Sequence, residues 1–192
     1  DPGTTSGTDP RARRQQQVAD DIVGGDGPRL PESLVRYIAE PVDEQDVVSI
    51  FNQLLARGHF GGLVPIFTSS QNKYDCYFTA SYEEEDLFDL NERQDGVRED
   101  SLSFNEESTD VFTLEYKLNL SGMVQEAHNN TKSWREVDLV VCWDRGSLED
   151  EDVENLRSYS AEPAAREFFG STHRFNSDGD SAEVIILREY FE

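Results

Sequence analysis

Apolar residues recur along this chain with two different periods. In DEQDVVSIFNQLLARG (43–58), Val47, Ile50, Phe51, Leu54 and Leu55 fall on one side at helical spacing. Asp43 is placed to cap the first turn, and Gly58 to end the last. GLVPIFTSS (62–70) and KYDCYFTA (73–80) read instead as two strands joined by a polar turn at Ser70, Gln71 and Asn72. VFTLEYKLNL (111–120) alternates as a third strand. SGMVQEAHNNTKSW (121–134) predicts a short helix or an irregular crossover. REVDLVVCWD (135–144) holds a fourth strand whose DLVVCW segment is continuously apolar, as suits a strand covered on both faces.

The remaining segments complete the expected order. LPESLVRYIAEP (30–41) predicts a short helix, and SLEDEDVENLRSYS (147–160) an amphipathic acidic one. The C-terminal THRFNSDGDSAEVIILREYF predicts two strands around a DGD turn. Together these predict an α/β fold, a mixed central β-sheet flanked by helices, over residues 31–192. Residues 1–30, rich in Gly, Pro, Thr, Asp and Gln, read as a flexible linker or disordered arm. Residues 81–110 read as a mostly exposed acidic insertion. The chain opens on Asp1, which predicts a piece of a longer protein cut near a linker.

Charge changes the picture. Forty acidic residues face 17 basic ones, for a formal net charge of −23. Only three of the basic residues are lysines. Such a surface disfavours polyanions at ordinary ionic strength. Acid residues spread everywhere with lysine nearly absent also fit a salt-in, halophilic cytoplasm, where the Debye length shrinks to a few Å. In that setting the net charge excludes no partner. No run of about 18 apolar residues offers a membrane span, so the expected location is cytoplasmic. Cys76 and Cys142 sit in apolar stretches and read as buried free thiols. His59, His128 and His173 share no spacing and read as surface or loop residues. Trp134 and Trp143 read as core or edge aromatics, and Asp144 as a cap for the turn after the fourth strand.

The candidate chemistry lies in the third strand. Phe112, Leu114, Tyr116, Leu118 and Leu120 share one face; Thr113, Glu115, Lys117 and Asn119 share the other. Two readings stand. Glu115 and Lys117 are either a weak pair on a wet face or part of a site. In the second strand Lys73, Asp75, Tyr77 and Thr79 alternate with Tyr74, Cys76 and Phe78. If the two strands are neighbours, Asp75 and Glu115 converge beside Lys117. Two carboxylates and an ammonium suit a hydrated Mg²⁺ that shares its shell with phosphate. All three lysines, Lys73, Lys117 and Lys132, fall between positions 73 and 132, as a phosphate-binding face requires.

DEQDVVSIFNQLL, NKYDCYF, TLEYKLNL and VDLVVCWD place an acid on a helix, then Asp on a strand, then Glu-x-Lys on a strand, then an apolar strand after a crossover. This order resembles the PD-(D/E)xK nuclease superfamily, over roughly residues 40–145. The resemblance implies a restriction-endonuclease-like core. It implies Asp75 and Glu115 as metal ligands, Lys117 as the catalytic lysine, and Glu44 as an accessory ligand, with Asp43 or Asp46 the competing choice. It further implies Mg²⁺- or Mn²⁺-dependent hydrolysis of DNA phosphodiesters, with Lys73 and Lys132 available to the substrate. Target recognition would then come from the missing N-terminal portion, and cutting both strands of a duplex favours a homodimer. Two features depart from the pattern. Tyr74 stands in the place of the proline, and the gap between Asp75 and Glu115 is long and acidic. The alternative is a catalytically inactive nuclease-like module that binds nucleic acid or protein.

Overall fold

The computed structural model describes residues 40–68, 73–80, 111–161 and 166–191. The linker, the helix expected over 30–41, the turn at 70–72 and the insertion over 81–110 lie outside the described residues, save for the last two positions of that helix. The chain divides into a unit Asp1–Glu40 and a unit Pro41–Glu192, and everything below belongs to the second.

Helix α1 (Glu44–Ala56) forms where the apolar period predicts it. The Asp43 side chain accepts the Asp46 amide at 3.0 Å, closing one of the donors that a first turn leaves open. Val47, Ile50, Phe51 and Leu54 are fully buried, while Leu55 stays half-buried at the rim of that face. Strands β1 (Leu63–Thr68), β2 (Cys76–Ala80) and β3 (Phe112–Asn119) follow, and then α2 (Leu120–His128). A 3-10 turn at Trp134–Glu136 leads into β4 (Leu139–Asp144). Helix α3 (Asp150–Asn155), β5 (Leu156–Ser158), β6 (His173–Ser177), β7 (Asp180–Ile186) and a 3-10 turn at Leu187–Tyr190 complete the described chain. None of the described helices is long and apolar enough to cross a membrane.

The strands form one mixed sheet in the order β1-β2-β3-β4-β7-β6-β5. β1, β2 and β3 are antiparallel neighbours; β3, β4 and β7 run parallel; β6 and β5 return antiparallel. The β3–α2–β4 segment is thus a crossover between parallel neighbours, which a tight hairpin cannot make. β4 is central, and Leu139, Val140, Val141, Cys142 and Trp143 are all buried, as a strand covered on both faces requires. At the other extreme, β1 is an edge strand. It carries Pro65 beside a register irregularity, and proline is tolerated at such an edge because it donates nothing to the ladder.

Each face of the sheet has its own cover. Phe51 of α1 meets Tyr116 of β3 edge-on, at a ring separation of 5.8 Å. On the opposite face Leu120, Met123 and Val124 of α2 pack with Trp134, Val140, Cys142, Phe175, Val184 and Ile186. Tyr74 joins this second cluster. It stands in a bend before β2 begins, so it does not share a face with Cys76 and Phe78 as strict alternation had predicted. Cys76 and Cys142 are buried free thiols, and Trp134 and Trp143 are buried core aromatics, all as expected.

Several boundaries differ from the sequence reading. The acidic helix expected over 147–160 closes after only six residues, and Leu156–Ser158 turn into an edge strand paired with β6. Tertiary pairing overrides propensity there. Leu120, expected on the core face of β3, instead opens α2 and packs on the α2 side. The DGD turn is where it was predicted. Asp178 and Gly179 both take positive φ, 50° and 89°, the pairing that a tight two-residue hairpin needs. Asp144 caps its turn through Oδ1, which accepts the Gly146 amide at 2.8 Å.

His173 is a correction of another kind. It is not a surface residue: it is 1% exposed on β6. Arg145 can only donate, so Nε2 accepts from it at 3.0 Å, and Nδ1–H donates to Thr172 Oγ1 at 3.0 Å. The Thr172 hydroxyl in turn donates to the Val184 carbonyl at 3.1 Å. Burial first, and then the Arg145 charge, pull the imidazole down to about 4, so it is neutral at pH 7. Unfolding restores an ordinary value near 6.5. The stability that neutral His173 confers is therefore complete above pH 6.5 and is lost as pH falls toward 4. Comparing melting temperatures at pH 7 and pH 4.5, the wild type should lose more than His173→Gln, which does not titrate.

Glu183 of β7 is buried and fully engaged. It accepts the Tyr159 hydroxyl at 2.9 Å, the Glu167 amide at 2.5 Å, the Phe168 amide at 2.9 Å and the Ser171 hydroxyl at 2.6 Å. One carboxylate thereby pins the segment between β5 and β6 to the sheet. Glu183→Ala strands buried donors and should cost about 3 kcal/mol in urea unfolding.

Candidate active site

Burial tests the wet-face reading of the third strand. Glu115 is 0% exposed and Lys117 only 5%. The wet-face reading is overturned, because α2 covers that face. Glu115 and Lys117 stand in register with Val140 and Cys142 of β4, and both of these lie in the cluster that α2 completes. The Lys117 stem passes close to Gly122, whose missing Cβ would stand 3.5 Å from Lys117 Cδ.

A charge taken from water must be paired, or its desolvation goes uncompensated. Lys117 Nζ meets Glu115 Oε1 at 2.9 Å, Glu44 Oε1 at 3.2 Å and Glu126 Oε1 at 3.3 Å. The ammonium thus gathers acids from β3, from the first residue of α1 and from α2. Lys132 Nζ also contacts Glu115 Oε1 and lies 3.6 Å from Glu126 Oε2. Burial is the larger influence on Lys132 and lowers its proton affinity; the charges of Asp75 and Glu44 act in the opposite direction. Asp75 precedes β2, and its Oδ2 accepts the amide of Tyr116, the residue between Glu115 and Lys117, at 2.9 Å.

Five expected residues therefore converge: Glu44, Asp75, Glu115, Lys117 and Lys132. Glu44, rather than Asp43 or Asp46, is the acid of α1 that reaches the lysine. Asp43 caps the helix, and Asp46 Oδ2 accepts the Val42 amide at 2.9 Å. Lys73 lies outside the cluster. It pairs with Glu136 at 2.5 Å, and the Tyr74 hydroxyl donates to the same carboxylate at 2.6 Å. Both remaining lysines flank that ring, Lys73 Nζ at 5.2 Å and Lys132 Nζ at 5.8 Å from its centroid. Both also line one cleft of about 410 Å³ with His128, Asn130, Ser133 and Trp134.

Glu126 is the member that the sequence reading missed. The available signal was its spacing from Gly122. Residues four apart share a helix face, so a glycine that admits the Lys117 stem marks Glu126 as facing the same lysine.

The donor set suits a hard divalent cation, which takes carboxylate oxygens. Glu44, Asp75, Glu115 and Glu126 carry four negative charges against two ammonium ions. Among the described residues Glu115 Oε2 is buried without a hydrogen-bond partner, an orphan that a cation would satisfy. No three His, Cys, Asp or Glu side chains among the described residues are gathered into a group that could hold a metal ion.

No family model matches this chain, and neither a curated protein nor a solved structure matches it.

The buried pair gives a direct prediction. Lys117→Met and Glu115→Gln should each destabilise the domain by about 3 kcal/mol, since each leaves a partner buried and underpaired. A double-mutant cycle followed by urea unfolding should return a coupling of about 1–3 kcal/mol, which two independent surface residues would not show.

Proposed function

We propose that this chain carries a metal-dependent nuclease domain of the PD-(D/E)xK kind, with a restriction-endonuclease-like core, that hydrolyses DNA phosphodiester bonds with Mg²⁺ or Mn²⁺. The observation that carries the reading is the buried Lys117 ammonium held between Glu115 and Glu44, beside a Glu115 oxygen without a hydrogen-bond partner among the described residues. The element order supports it: acid-bearing helix, Asp at the start of a strand, Glu-x-Lys strand, helical crossover, then a buried parallel strand.

In this reading Asp75, Glu115 and Glu44 hold the ion. Once bound, the ion supplies Lewis-acid polarisation of the phosphate and neutralises its charge. Lys117 places its positive charge beside the attacking water and the charge that develops on phosphate. Its pre-set position spares reorganisation during the reaction. The acidic surface opposes DNA at low salt, and a medium of high KCl removes that barrier.

A second reading has its own observation. Lys132 contacts Glu115 Oε1, where a cation would otherwise bind, as suits an inactive nuclease-like module that binds nucleic acid or protein.

A panel of labelled duplex, branched and single-stranded DNAs in molar KCl separates the two. Wild type should cut with Mg²⁺ or Mn²⁺ and not with EDTA, and Lys117→Ala should cut at least about 100-fold more slowly. An absence of cutting together with Mn²⁺ binding that is indifferent to Asp75→Ala would remove the enzyme.

A further inference from the structure

Two ammonium ions share a single oxygen in this cluster. Lys117 and Lys132 both contact Glu115 Oε1, while Glu115 Oε2 has no hydrogen-bond partner among the described residues. Like charges so placed repel, so one of the two ammonium ions is the easier to displace. Their settings differ. The Lys117 side chain is 6% exposed, rises from the interior of a central strand and touches three carboxylates. The Lys132 side chain is 13% exposed, comes from the bend after α2 and already lines the neighbouring cleft. Of the two, Lys132 has a solvated place to go.

We propose that Lys132 is a tethered counter-ion: it occupies the cation position of the empty cluster, and a divalent ion binds by displacing its ammonium from Glu115 into the adjoining cleft. This rests on the metal-site reading above. The charge balance favours such an exchange. With Lys132 in place, Glu44, Asp75, Glu115 and Glu126 exceed the ammonium charges by two; with Lys132 withdrawn they exceed Lys117 by three. The deficit that a divalent ion meets thus grows as the lysine leaves. In the absence of metal, the same lysine offsets the repulsion among these acids through its contacts with Glu115 of β3 and Glu126 of α2.

The test is a calorimetric titration of Mn²⁺ into wild type, Lys132→Gln, Lys132→Met and Lys73→Gln, all in molar KCl. Removing the competing charge should tighten Mn²⁺ binding about tenfold in both Lys132 variants. Lys73→Gln loses the same unit of charge from the neighbouring cleft, where Lys73 pairs with Glu136 rather than Glu115, and should tighten Mn²⁺ binding much less. Circular dichroism melts with and without Mn²⁺ give a second readout, in which the metal should raise the midpoint of the Lys132 variants more than that of wild type. Wild-type affinity unchanged in both Lys132 variants would overturn the counter-ion and leave the metal site standing. Binding by the variants alone would make Lys132 a permanent plug and overturn displacement. No Mn²⁺ binding by any of the four proteins would overturn both this inference and the metal-site reading.

Discussion

The buried ammonium of Lys117 is the constraint around which the candidate site is arranged. A lysine under a helix, on a central strand, is tolerable only if carboxylates surround it. It draws them from three elements: Glu44 from the first turn of α1, Glu115 from its own strand and Glu126 from α2. The two helices approach β3 from opposite faces of the sheet, so the ion pairs tie both layers to one strand. An arrangement of this kind is weak evidence for stability, since an apolar replacement of similar volume is often as stable.

The sheet makes that gathering possible. Antiparallel pairing of β2 with β3 brings Asp75 to the Tyr116 amide. The parallel crossover through α2 then lays Glu126 and Gly122 over Lys117. A hairpin between β3 and β4 would have left that face open to water, and Glu115 and Lys117 would have been an ordinary surface pair. Further along the sheet, Glu183 and His173 show the same economy without a candidate reaction. One buried carboxylate closes four donors, and one neutral imidazole accepts from an arginine.

Much of the fold was legible in the residues. The period of 43–58 marked α1, the apolar run at 139–143 marked a strand covered on both faces, and Asp178–Gly179 marked the last hairpin. Asp75, Glu115 and Lys117 were legible from strand alternation, Lys132 from the scarcity of lysine, and Glu44 from the family resemblance alone. Lys73 was grouped with them by proximity in sequence alone, yet it pairs with Glu136 beside the Tyr74 ring. The short β5 was not legible, because its hydrogen bonds go to β6, about 17 residues later. His173 was misjudged for a similar reason. A single histidine in an alternating strand does not reveal which residues will cover it.

The amino-acid sequence by itself determined the periods, the caps, the turn at 178–179 and the set of residue types from which a site could be built. These are local properties, set by backbone sterics and side-chain spacing within a few positions. Only the tertiary structure decided that the Glu115–Lys117 face is dry, that Glu126 belongs to the cluster and that two ammonium ions meet one carboxylate oxygen. Burial depends on what packs over a strand, and here the cover is a helix whose placement follows from a crossover between parallel neighbours. Water is excluded by the whole fold, and the exclusion of water is what turns an ordinary Glu-x-Lys into a charged cluster with an unsatisfied oxygen.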